Sequence, residues 1–103
     1  MSDYAFHPEA LDDIDAIWEY IAKDSVDAAD RAIDTIFENI ATLAASPQQG
    51  HPRPDLTSAP LLFWRVYTYL IAYAPAERPL WIVAVIHGQR SPRVMASILN
   101  ARR

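Results

Sequence analysis

The chain has 103 residues, of which 51% are hydrophobic, and no cysteine. That is room for one domain, 1–103, with one core; it is too apolar for disorder and offers no thiolate for a disulfide framework or a metal. The formal charge of −4 argues against broad nonspecific nucleic-acid binding, which depends on neutralising phosphates.

That charge is unevenly placed. Residues 1–60 hold 12 acids and 3 bases, whereas residues 61–103 hold one acid, Glu77, and 6 bases. Such asymmetry fits a partner surface on the C-terminal part, or simply well-solvated acidic helices. The N-terminal MSDYAFHPEA has no basic start followed by an apolar stretch, so it does not read as a signal peptide. No apolar run approaches the roughly 20 residues needed to cross a bilayer. A soluble cytoplasmic protein with no membrane contact is expected.

Residues Asp3 to Phe6 read as a short strand. Pro8 suits the first turn of a helix, where its missing N–H costs nothing, and Glu9, Asp12 and Asp13 complement the positive end of the helix dipole. Leu11, Ile14, Ile17, Trp18 and Ile21 form an apolar stripe at helical spacing, which predicts a helix to about Lys23. Asp24 or Ser25 can cap a second helix. Its stripe of Ala29, Ile33, Ile36, Phe37, Ile40, Leu43 and Ala44 stops before Ser46-Pro47, and the short connection makes the pair an antiparallel hairpin. Residues 47–60, with four prolines and Gly50, form a stiff loop.

From Leu61 the texture becomes that of strands. LLFWRVYTYLIAY, residues 61–73, is rich in β-branched and aromatic side chains and breaks near Tyr67-Thr68 into a hairpin. Residues 74–79 are a clearer turn. LWIVAVIHG, residues 80–88, is apolar on both faces and reads as a central strand, and Ser91 to Leu99 as a short closing helix. The expected class is α+β, in the order β-α-α-β-β-β, with a helical hairpin on one face of a mostly antiparallel sheet. Two helices cover one face only. The large apolar groups on the other predict an open patch that a partner covers.

Most chemistry is unsupported. Gly50 and Gly88 are the only glycines, too few for a phosphate-cradling loop. His7, His51 and His87 stand alone, so no metal site and no cofactor are expected. Asp12, Asp13, Asp15, Asp24, Asp27, Asp30 and Asp34 read as a solvated face, with no two carboxylates isolated for acid–base work. Lys23 sits at a helix end, where it suits the dipole.

What stands out is residues 87–93, where His87, Arg90 and Arg93 follow the last strand, with Gly88 permitting a sharp exit. Arginine binds phosphate or carboxylate through its planar fork; Arg65 and Arg78 can add to this field. Equally, Arg90 can clamp the C-terminal segment or an acidic helix end. Trp18 reads as core. Trp64 and Trp81 read as core or as partner contacts, since aromatic residues anchor interfaces, and Trp64, Tyr69, Tyr73 and Trp81 are the expected contacts of a protein partner.

HPEALDDIDAIWEYIAKD (7–24), SPQQGHPRPDL (46–56), YLIAYAP (69–75) and VIHGQRSP (85–92), in this order and spacing, resemble ParE-type toxins of the RelE/ParE superfamily. The resemblance implies the fold above and a type II toxin held in check by a ParD-like antitoxin. It implies DNA gyrase as a target that is bound rather than chemically altered; charge and position at the strand end, not the resemblance, pick out Arg65, His87, Arg90 and Arg93 as the expected target contacts, and no sequence-specific DNA contact by this chain is expected. RNA-cutting relatives carry an arginine where Leu70 stands and a tyrosine near Met95 and Ala96. Arg90 matches an arginine of both groups, and Ser91 replaces an acid often found after it. The alternatives are a ribosome-dependent endoribonuclease using Arg65, Arg90 and His87 as general base, and a non-toxic member of an antitoxin repressor complex.

Overall fold

A computed structural model describes residues 3–102. Strand β1 (Tyr4–Phe6) leads into α1 (Pro8–Ala22) and α2 (Val26–Ala45). A 3-10 turn (Pro47–Gln49) follows, then β2 (Leu62–Val66), β3 (Tyr69–Ala74), β4 (Leu80–His87) and α3 (Pro92–Ala101). The sheet order is β1-β4-β3-β2, with β1 parallel to β4 and the other pairs antiparallel. The expected α+β class and element order are observed, and β4 lies inside the sheet.

Local chemistry sets the helix starts. His7 Nδ1 accepts from the Glu9 N–H at 3.1 Å while Pro8 occupies the first helical position. Ser25, rather than Asp24, caps α2 by accepting from the Ala28 N–H at 3.1 Å. Ser91 does the same for α3, accepting from Val94 N–H at 3.2 Å; this is what the serine after Arg90 does. Each cap satisfies an N–H that the helix itself leaves free.

The helical hairpin covers one face as expected. Ile14, Ile17, Ile36, Ile40 and Leu43 pack against Val66, Tyr69, Ile71, Tyr73, Leu80, Ile82 and Val85. Each such side chain contributes about 1.5–3 kcal/mol relative to leaving it in water. Trp18 is only half-buried and bridges the two helices, its indole N–H donating to Asp30 Oδ1 at 2.9 Å.

The expectation of an open second face is overturned. Met95 and Leu99 of α3, with Leu56 from the proline-rich loop, bury Phe63, Ala72, Val83, Ala84 and Ile86 on that side. A third amphipathic helix and a loop leucine supply the cover that two helices lack. The loop is therefore part of the fold: its Leu56 is 4% exposed, and His51 bridges Phe63 through bonds of 2.9 and 2.8 Å.

A bulge also changes which residues share a face. Ala72 pairs with Ala84 but Tyr73 with Ile82, so Val83 is the extra residue. Leu80 and Ile82 face the hairpin, yet Ala84 and Ile86 face α3. A strict period of two fails there because one inserted residue inverts the alternation.

Candidate functional site

Strand β1 pairs only with Leu80–Ile82, so the outer edge of β4 has no strand beside it from Val83 onward. Side chains fill part of that gap. The Val85 N–H donates to Asp13 Oδ2 at 3.0 Å, and Arg102 Nη1 donates to the Val83 carbonyl at 3.3 Å. Arg102 Nη2 also meets Asp13 Oδ1 at 2.9 Å, and its Nε meets Glu9 Oε2 at 3.1 Å. With its side chain 9% exposed, Arg102 is held above its ordinary pKa, chiefly by the hydrogen bond to Asp13. An edge that exposes backbone polar groups is here closed by charged side chains. Asp13 is thus not simply part of a solvated face, and the residue that clamps the C-terminal segment is Arg102, not Arg90.

Beyond that clamp lies a groove of about 530 Å³ between α1, the end of β4 and α3. Its apolar surface comes from Ala16, Ile17, Val85, Ile86 and Ile98, and its polar groups from Asp13, Tyr20, Tyr69, His87, Gln89 and Arg90. Tyr20 is 70% exposed. Tyr69 meets the His87 ring edge-on, centroids 5.4 Å apart. Burial, together with the nearby Tyr20 phenol, pushes the Tyr69 phenol up, so it stays a neutral hydroxyl.

The His87 ring has a fixed role. Its Nδ1 accepts from the Gln89 N–H at 3.1 Å, so in the neutral ring the proton sits on Nε2. His87 offers the groove a donor, and the lone pair that a general base needs is already engaged. Gly88 has no positive φ. What it provides is closeness: a Cβ there would lie 2.9 Å from the Thr68 carbonyl.

The structure brings His87, Arg90 and Tyr69 together and sets the other expected residues apart. Arg93 is exposed in the first turn of α3. Arg65, on edge strand β2, turns its Nε back to the Tyr67 carbonyl at 3.0 Å. Arg78 is engaged within its own turn, with the Pro75 and Glu77 carbonyls. Tyr73 is fully buried, its hydroxyl donating to Pro47 O at 2.7 Å and accepting from Gly50 N–H at 3.0 Å. It has no face for a partner, which corrects the expectation that it is an antitoxin contact. Trp64 and Trp81 are half-buried; Trp64 donates to Asn39 Oδ1 at 3.0 Å, and Trp81 packs on the second core. Sequence reading missed Tyr20, Gln89, Ile98 and Arg102. Tyr20 lies two residues beyond Trp18, off the apolar stripe, and Arg102 follows the predicted helix end, so neither spacing marked them.

Among the described residues no three His, Asp or Glu side chains gather where they could hold a metal ion. No helix among them is long and apolar enough to cross a membrane. Residues 4–92 match the family model of the ParE toxin of the type II toxin–antitoxin system, parDE. The chain belongs to the ParE toxin family. It is therefore a type II toxin–antitoxin toxin, and that family implies pairing with an antitoxin. No curated protein matches this ParE-family chain. The match ends at Pro92, where α3 begins, so the helix that covers the second sheet face and delivers Arg102 lies outside the matched stretch.

Proposed function

We propose that this ParE-family toxin acts in the cytoplasm by binding DNA gyrase, without catalysis, and that a ParD-like antitoxin neutralises it by occupying the groove beside β4. The observation that supports binding over catalysis is the state of His87, whose Nδ1 lone pair is engaged by the Gln89 N–H. RNA cleavage needs a proton acceptor and a second group to stabilise charge on the phosphate. Leu70, Met95 and Ala96 supply neither, and Met95 is 3% exposed in the second core. Arg90 is exposed and makes no ion pair among the described residues, which leaves its charge for a target or an antitoxin.

A supercoiling assay with purified gyrase tests this reading. The toxin is expected to block supercoiling or trap cleaved DNA, and addition of antitoxin is expected to restore activity. Full supercoiling at high toxin excess, or transcript cleavage during growth arrest, refutes it. Arg90→Glu is expected to weaken the effect at least tenfold; an unchanged dose response removes Arg90 from the target surface.

A further inference from the structure

The turn between β2 and β3 carries a residue that its backbone does not favour. Tyr67 and Thr68 join Val66 to its cross-strand partner Tyr69. The favoured two-residue hairpin turns need a positive φ at the first position, which glycine, asparagine or aspartate supplies at least cost. Tyr67 holds that φ, at 55°, against the preference of a bulky side chain. Nothing in the fold offsets this. The ring belongs to neither core and is 62% exposed. Its hydroxyl donates to Thr35 Oγ1 of α2 at 3.4 Å, longer than an ordinary O–H···O bond.

That turn sits at a basic end of the sheet. Thr68 O accepts from the Gly88 N–H at 2.6 Å, which sets the turn beside the exit of β4. Arg65 stands apart from the groove, but its Nε holds the turn by donating to the Tyr67 carbonyl at 3.0 Å. Residues 65–69 and 87–93 together carry three arginines, Arg65, Arg90 and Arg93, and no acid. All three are exposed, and none is ion-paired among the described residues. Strain at an exposed residue persists where function needs the side chain, at the expense of stability. Tyrosine and arginine are also frequent anchors of protein interfaces.

Building on the gyrase reading above, we infer that Tyr67 anchors the target-binding surface, at this end of the sheet. The ring enters an apolar socket on the target protein, and the three arginines around it pair with carboxylates in two-pronged contacts. A protein fits this surface better than nucleic acid does. One ring and three spread arginines, on a chain of charge −4, make no groove for a run of phosphates. Tyr67 and Arg65 are not on the wall of the groove beside β4, whereas Arg90 is. The antitoxin therefore binds variants at positions 65 and 67 as it binds the parent toxin, and Arg90 lies where the two surfaces meet.

Tyr67→Gly separates this role from a structural one, because the two predict opposite changes. The variant is expected to unfold at no lower denaturant concentration than the parent and to bind the antitoxin within about threefold. Its binding to purified gyrase, and its block of supercoiling, are expected to weaken at least tenfold. Tyr67→Phe, which restores the ring, is expected to recover both to within about threefold, and Arg65→Glu to lose tenfold or more. A Tyr67→Gly toxin that inhibits like the parent overturns the inference and leaves the gyrase reading intact. So does one that unfolds more easily or loses the antitoxin, since the ring is then structural. Binding to DNA alone, or self-association, that the parent shows and Tyr67→Gly lacks assigns the ring to nucleic acid or to a second copy and overturns the target-protein contact. A parent toxin that neither binds nor inhibits gyrase overturns the gyrase reading and this inference with it.

Discussion

The Tyr73 hydroxyl joins Pro47 and Gly50 of the proline-rich loop to the middle of the sheet. Tyr73→Phe leaves a carbonyl and an N–H without their partner, and is expected to cost about 1–3 kcal/mol in denaturant unfolding. Burial pushes both Tyr73 and Tyr69 above the ordinary 10.0. In alkali the unfolded chain therefore loses these protons first. Their contribution to stability is complete below about pH 10 and falls as pH rises through the higher folded values. Melting temperature is expected to drop over that window, less steeply in Tyr73→Phe. Arg102→Ala removes the charge that balances the half-buried Asp13 and is expected to cost about 1.5–3 kcal/mol. A double-mutant cycle with Asp13→Asn checks that the loss belongs to the pair.

Among the elements, the β2–β3–β4 meander depends on two tight points. Tyr67 begins the hairpin turn at φ 55, a region that a bulky non-glycine residue occupies only at a cost. Tyr67→Gly is expected to raise stability by a few tenths to about 1 kcal/mol in chemical unfolding. At the far end of β4, a Cβ on residue 88 would meet the Thr68 carbonyl at 2.9 Å. Backbone cannot swing aside as a side chain does, so Gly88→Ala is expected to destabilise by about 1–3 kcal/mol and to shift His87 and Arg90 at the groove. The turn at Tyr67-Thr68 was legible from the change between apolar runs, although no glycine marks it. The bulge at Val83 was not, because LWIVAVIHG is apolar at nearly every position and gives no alternation to interrupt.

For the whole molecule, α3 decides how much apolar surface the chain shows. Met95 and Leu99 are 3% and 4% exposed against the second sheet face. Ending the chain at Ser91 is expected to uncover Phe63, Val83 and Ile86, seen as strong binding of a hydrophobic dye and loss of cooperative melting. Met95→Ala is the milder check, at about 2–4 kcal/mol. The groove beside β4 is also a whole-molecule property, since α1, β4 and α3 each supply one wall.

The sequence by itself determined the element order, the capped hairpin of α1 and α2, and the family, because helical periodicity, cap residues and short ordered motifs are local. It also placed His87 and Arg90 together, since three residues of chain cannot carry them far apart. Tertiary structure alone decided that α3 covers the second face, that Tyr73 is sealed inside and that Arg102 meets Asp13 across 89 residues of chain. The engagement of the β4 edge by Asp13 and Arg102 depends on β1 being three residues long beside an eight-residue β4. That mismatch leaves backbone groups of β4 that side chains satisfy.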